Sequence, residues 1–222
     1  MLTPRKRIRK KDLKEDKLVT LYFQAREWTE EHINYILGGA AGLLVILLGL
    51  FLLSYLHGKA ENTAGIEFSK ASKLYQASDY RNAVTQFNNI VDRYSRTSSG
   101  KLARYYLAQS LYKTNDYTAA QRQFSKFSSV FSADDHLKTS ALAGVAACLE
   151  EQGKYEEAAK KYQAIVKKYD DAPLASYFLI RAARCCELSN DKAKAKELYK
   201  QLITKYPESR EKDDAVLLSA QI

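Results

Sequence analysis

The feature that most constrains this chain is an internal repeat. Four segments align without gaps: Asp79-Tyr80-Arg81-Asn82-Ala83, Asp116-Tyr117-Thr118-Ala119-Ala120, Lys154-Tyr155-Glu156-Glu157-Ala158 and Asp191-Lys192-Ala193-Lys194-Ala195. Their final alanines are spaced 37, 38 and 37 residues apart. Four residues after each comes an aromatic ring (Phe87, Phe124, Tyr162, Tyr199), seven after it a bulky apolar residue (Ile90, Phe127, Ile165, Leu202), and eleven after it another aromatic (Tyr94, Phe131, Tyr169, Tyr206). Steps of 4, 7 and 11 fall on one face of an α-helix. Twelve residues before each alanine stands a second one (Ala71, Ala108, Ala146, Ala183), and nine before come Leu74, Leu111, Leu149 and Cys186. These mark the apolar face of a preceding helix.

Each unit is therefore a helix, a short turn and a second helix. Asp79, Asp116, Asp191 and Gly153 fall in or beside the turn, where Asp can cap a helix and Gly can take positive φ. The alanines are expected where two helices cross closely, because a larger side chain would hold the backbones apart. One such pair cannot bury its apolar face alone, so successive pairs must stack into a solenoid. The segment 209–222, with Ala215, Val216, Leu217 and Leu218, is expected to cap its open end. The small–aromatic spacing, with Tyr206-Pro207 closing the last unit, resembles the tetratricopeptide repeat (TPR). The period is longer than the usual 34 or so, and Ser95, Ser132 and Asp170 replace the closing proline in the other units. Slightly longer loops between repeats follow from that departure.

Ahead of the repeats lies an apolar run. From Ile33 to Leu56 there is no charged residue, and Tyr35 to Leu56 includes nine Leu, two Ile, one Val and one Phe. As a helix these 22 residues span about 33 Å, against about 30 Å of hydrocarbon in a bilayer. A cleaved signal peptide would have a shorter apolar core ending in a small–x–small site, whereas this run leads into Ser54-Tyr55-Leu56-His57-Gly58-Lys59. No cysteine follows to carry a lipid. The expected fold class is thus all-α: one N-terminal transmembrane helix, then a solenoid of about four helix pairs plus a capping helix. Three parts are expected: a basic tail over 1–32, a span contacting lipid over 33–57, and the repeat domain over 58–222.

Eight Lys/Arg against three acids in residues 1–17 (Arg5, Lys6, Arg7, Arg9, Lys10, Lys11, Lys14, Lys17) direct the N-terminus to the cytoplasm and the repeats across the membrane. The same cluster suits anionic headgroups. Leu18, Leu21, Tyr22, Ala25 and Trp28 recur at helical spacing and suggest a short interfacial helix before the span. Within the span, Gly38, Gly42 and Gly49 form one small-residue stripe that would let another helix approach. This layout resembles the YfgM-type ancillary subunit family of the Sec translocon. The resemblance rests on the basic tail, the stretch Asp16-Lys17-Leu18-Val19-x-x-Tyr22-Phe23-x-x-x-x-Trp28, a glycine-containing span and an exported repeat domain. It implies a bacterial inner-membrane protein with its repeats in the periplasm. Its implied partners are export-channel subunits, periplasmic chaperones or exported clients. Anchored TPR domains also occur at mitochondria, so an organellar membrane fits the same layout.

No enzyme constellation stands out. Glu156 and Glu157 lie four before Lys160 and Lys161, as on a solvated helix face. The Ser-rich stretches lack a Gly-x-Ser-x-Gly elbow, and there is no Gly-rich phosphate loop. The three histidines are scattered (His32, His57, His136), and the three cysteines form no Cys-x-x-Cys pair, so neither a metal site nor a cofactor is expected. Cys148 and Cys185 sit at equivalent places on adjacent helices, whose axes lie about 8–10 Å apart, so buried free thiols are expected rather than a bridge. Residues 57–222 carry 26 basic and 20 acidic residues, a charge of +6, with Lys160, Lys161, Lys167, Lys168, Lys192, Lys194, Lys196 and Lys200 on the second helices. These read as a solubilising outer surface, not a nucleic-acid site. No small-molecule substrate is expected either.

What remains is the groove lined by the first helices, which TPR proteins commonly use for extended peptides. The repeat register places Phe68, Tyr75, Leu102, Tyr105, Gln109, Tyr112, Glu150, Tyr177 and Arg184 along it. Tyrosine combines an apolar ring with a hydrogen-bonding tip at low entropic cost, which suits variable polypeptide. The expected function is protein binding, beside the export machinery as a chaperone-like factor. The alternative is a fixed scaffold in envelope assembly or in a membrane enzyme complex.

Overall fold

The computed structural model describes residues 17–131, 135–171 and 174–222. Among these, all regular structure is helical: α1 (Lys17–Gln76), α2 (Tyr80–Tyr94), α3 (Ser98–Lys113), α4 (Tyr117–Val130), α5 (Asp135–Glu151), α6 (Tyr155–Lys168), α7 (Ala175–Leu188), α8 (Lys192–Lys205) and α9 (Lys212–Gln221). The chain divides into two units, residues 1–56 and 57–222. The basic cluster before Lys17 lies outside the described residues, as does Ser132.

In the first unit, residues 17–56 form one uninterrupted helix. No separate interfacial helix precedes the apolar run, because no proline or glycine occurs between Lys17 and Gly38 to end a helix. Trp28 stacks on His32 (centroids 4.8 Å apart), and Arg26 pairs with Glu30 at 2.8 Å. Beyond them the side chains from Leu43 to Leu56 are exposed, and no residue of the most apolar window is buried against the rest of the chain. Among the described residues this is the one helix long and apolar enough to cross a membrane. A Cβ added at Gly38, Gly42 or Gly49 would meet nothing within 4 Å, so among the described residues nothing packs on the glycine stripe.

In the second unit, residues 57–76 of α1 are the first helix of the first pair. The pairs are then α1/α2, joined through Ala71 and Phe68 against Ala83 and Phe87, and α3/α4, α5/α6 and α7/α8, with α9 packed on α8. All four turn alanines and all four alanines twelve residues earlier are fully buried, at 0% exposure. The rings at Phe87, Phe124, Tyr162 and Tyr199 are buried with them, and so are Ile90, Phe127, Ile165 and Leu202. Later aromatics differ: Tyr94, Phe131, Tyr169 and Tyr206 are only half-buried. Phe131, Tyr169 and Tyr206 are the C-cap residues of their helices, where the chain leaves the packed face.

The turn within each pair is one motif used four times. Ser78, Asn115, Gly153 and Asn190 take left-handed conformations, with φ of 60°, 64°, 75° and 65°. The following N–H then closes back onto the first helix, Asp79 onto the Leu74 carbonyl (2.9 Å), Asp116 onto Leu111 (3.0 Å), Lys154 onto Leu149 (2.9 Å) and Asp191 onto Cys186 (2.8 Å). This ends one helix and starts the next in a single residue step. Asp79, Asp116 and Asp191 accept from the backbone N–H three residues on, at 3.3, 3.0 and 3.0 Å; Lys154 has no side-chain cap.

The junction between the first two pairs is tighter. Thr97 caps α3 by accepting from the Gly100 N–H at 2.9 Å. A Cβ at Gly100 would lie 1.8 Å from the Tyr94 carbonyl oxygen, so only glycine lets α3 start so close to the end of α2. Glu61 of α1 reaches across to accept from the Ser98 and Ser99 N–H groups (2.7 and 2.9 Å) and from the Ser99 hydroxyl (2.7 Å). Partial burial works against the Glu61 carboxylate, but the Ser99 and Ser98 bonds outweigh it and hold its pKa below the usual value.

Candidate functional site

One position on the inner face departs from its neighbours. The residues 18, 15, 14 and 11 before the turn alanine are Leu102, Tyr105, Tyr106 and Gln109 in α3, and Tyr177, Ile180, Arg181 and Arg184 in α7. Between them, α5 carries Ser140, Ala143, Gly144 and Ala147. Spaced at i, i+3, i+4 and i+7, these four share one helical face. With no bulk there, α5 leaves a notch between the side chains of α3 and α7.

The notch has a volume of about 310 Å³. Tyr105, Gln109 and Tyr112 of α3 form one wall, and Leu174, Tyr177, Phe178 and Arg181 stand on the α7 side. Phe124 and Tyr162 of the second helices close its base. A Cβ at Gly144 would lie 2.7 Å from the Phe124 ring, so glycine sets how closely α4 and α5 approach under the notch. Leu174 and Tyr177 at the rim are 51% and 40% exposed.

The polar groups of the notch bond to one another. Gln109 donates to the Tyr105 hydroxyl (2.9 Å), and the Tyr112 hydroxyl donates to Glu151 (3.0 Å). Arg181 donates to a single carboxylate oxygen of Glu150 through both Nε (3.1 Å) and a terminal nitrogen (2.6 Å). Its other terminal nitrogen reaches the Tyr177 hydroxyl at 3.4 Å, and the Tyr162 hydroxyl donates to the same Glu150 oxygen at 3.3 Å. Burial alone would lower the Arg181 pKa; the Glu150 bond and the surrounding negative charge raise it instead, so the guanidinium stays charged. Burial also raises Tyr162 and Tyr112, with Glu151 adding to the effect at Tyr112. Cys148 and Cys185 are buried and free, and burial pushes both thiols up to about 12. They are packing residues, not thiolate nucleophiles.

Of the nine groove residues named from the repeat register, Tyr105, Gln109, Tyr112 and Tyr177 line the notch, and Glu150 holds its arginine. The others lie elsewhere. Phe68 and Tyr75 turn onto Tyr106, at centroid distances of 5.6 and 5.4 Å, and belong to the packing of the first pairs. Leu102 lines a separate depression with Val130 and Leu137. Arg184 sits on the exposed edge with Asp214 4.0 Å away. The register missed Arg181, Phe178 and the small face of α5. The sequence held a signal for the last: repeat 3 alone has only small residues at those four positions. On the outer face, Lys160, Lys161, Lys167, Lys168, Lys192, Lys196 and Lys200 are exposed, while Lys194 is half-buried.

A profile for the tetratricopeptide repeat-like domain matches residues 26–176, more than half of the chain. The chain belongs to that family. A second tetratricopeptide repeat profile matches residues 148–210, so the last TPR units are covered as well. No curated protein matches the sequence. Solved TPR-like structures share the fold. The crystal structure of nearly identical TPR-like repeats of a putative kinesin light chain from Podosopora anserina is similar at TM-score 0.56 and 14% identity, over 72% of this chain and 82% of that one. The apo form of RapI gives TM-score 0.60 at 14% identity, covering 69% of this chain but only 45% of that one. A MamA double mutant gives 0.54 at 15% identity, over 66% and 76%. At these identities the likeness is one of fold. TPR domains bind other proteins and peptides, and this chain is a TPR protein-binding module.

Proposed function

We propose that this TPR module is held to a membrane by residues 33–57 and binds polypeptide in the notch between α3, α5 and α7, on the side opposite its basic N-terminus. The observation that carries the reading is one chain with both an unburied helix of spanning length and an inner-face notch with aromatic walls. An apolar helix left in water would be strongly unfavourable. The family profile begins at Arg26 and takes in the whole apolar run together with the first three repeats, which supports treating the two as parts of one protein. The resemblance of the N-terminal motif and layout to the YfgM-type subunit supports a place beside the export channel in a bacterial inner membrane. There the notch would receive or hand on emerging chains, as a chaperone-like factor.

The test is made on native membranes. Alkaline extraction should leave the chain in the membrane, and the repeats should resist protease added to the cytoplasmic side. Purification in mild detergent should then bring down export-channel subunits. Release into the soluble fraction would overturn the anchor. A single stoichiometric partner from an unrelated complex would replace client binding with fixed scaffolding.

A further inference from the structure

Resting on that reading of the notch, we propose that its ligand is an extended segment bearing one large uncharged side chain, aromatic or aliphatic, with a basic residue next to it. The notch is small, about 310 Å³, at the low end of the ~300–1,000 Å³ of ligand pockets. It has room for an anchoring side chain and little more. Rings line its walls and base, and the alanine and glycine face of α5 gives it room.

Charge decides against an acidic ligand. Among the described residues lining the notch, the one cation is Arg181, and Glu150 already holds it through two bonds. A carboxylate entering there would have to compete with a partly buried ion pair. Beside Tyr112, Glu151 is exposed at the last residue of α5, where the helix dipole adds partial negative charge. Tyr112 donates to one oxygen of that carboxylate and the Tyr117 hydroxyl also bonds to it; both partners are neutral hydroxyls, which leave the carboxylate its charge for a cation. Ligand backbone has partners too, because Arg181 keeps N–H donors beyond those used on Glu150 and Tyr177. The inner site thus selects against acidic segments, although the outer second helices are rich in lysine.

The test uses the full chain in nanodiscs of zwitterionic lipid and fluorescence anisotropy of short Gly/Ser peptides. The peptides present Phe-Lys, Ala-Lys or Phe-Glu at their centre. Phe-Lys should bind, with Ala-Lys about tenfold weaker and Phe-Glu weaker by about threefold or more. Ala147→Phe, which fills the notch from the small face of α5, should abolish Phe-Lys binding. Ala143→Leu is the second filling variant, and thermal unfolding confirms that either is folded. Glu151→Gln should bring Phe-Lys and Phe-Glu to the same affinity, weakening Phe-Lys by about threefold. Equal or tighter binding of Phe-Glu, with Ala147→Phe still blocking it, would overturn this inference and leave the groove reading standing. Binding of a protein partner that Ala147→Phe does not affect would overturn both. Loss of self-association in Ala147→Phe, without peptide binding to the parent, would assign the notch to a second copy and also overturn both.

Discussion

The front and back halves of the solenoid solve the same packing problem with different chemistry. Eight residues before the turn alanine and four after it, each helix of a pair turns one side chain toward the same core. In the first two pairs these positions are Tyr75 with Phe87 and Tyr112 with Phe124. In the last two they are Glu150 with Tyr162 and Glu187 with Tyr199, and each tyrosine hydroxyl donates to its glutamate, at 3.3 and 2.9 Å. The ring is buried in every case, so its apolar area is not what differs. Where the inner residue is a carboxylate, the outer ring gains a hydroxyl to satisfy it; where the inner residue is a tyrosine, the outer ring stays apolar. A buried hydroxyl without a partner is costly, so the two positions are chosen together. The back half thereby keeps a charge next to the notch, and Arg181 is held by it.

The buried rings carry the most stability. Phe87→Ala removes a fully buried ring that contacts Phe68 and Tyr106, both at 5.7 Å, and should cost about 4 kcal/mol by chemical denaturation. Glu150→Ala in the back half strands both Arg181 and the Tyr162 hydroxyl. Its cost should be about 3 kcal/mol, the lower part of the range for buried pairs because Arg181 and Glu150 keep 25% and 16% exposure. The front half has a charge of its own at Glu61, on the N-terminus of α3. Its folded pKa is lowered, so its stabilisation is present above the unfolded value near 4.5 and is lost as pH falls through the folded value. Glu61→Gln should cost about 1 kcal/mol at pH 7 and flatten the acid limb of the stability curve, measured as denaturation midpoint against pH. Tyr199→Phe should also cost about 1 kcal/mol, the value of one hydrogen bond, without opening a cavity. The smallest effect has the opposite sign. Lys154→Asp gives the third turn the cap that Asp79, Asp116 and Asp191 supply elsewhere, and should stabilise by about 0.5–1 kcal/mol.

Much of this was legible in the sequence because it recurs. The helix pairs, the buried alanines at both positions and the aspartate caps all follow from a period that repeats four times. The left-handed turn residue was visible only at Gly153, since Ser78, Asn115 and Asn190 occupy the same place without announcing it. The groove was harder to read. Register tells which face of a helix looks inward, but not which neighbouring ring will cover it; Phe68 and Tyr75 point to the inner face and are taken up by Tyr106. The notch itself comes from a departure from the repeat, the small residues of α5, and a search for what recurs passes over it. Arg181 escaped for a related reason. Its counterpart in α3 is Tyr106, so only its contact with Glu150 reveals its role.

In the proposed function, polypeptide is held by the inner face of a membrane-tethered solenoid. Site-specific photocrosslinking in intact membranes tests it most directly, with the reactive side chain placed at Tyr177 on the notch rim or at Lys196 on the outer face. Adducts with polypeptide from position 177, absent from position 196 and abolished by Ala147→Phe, are the predicted result. Adducts of equal yield from both positions, or from position 196 alone, would contradict it.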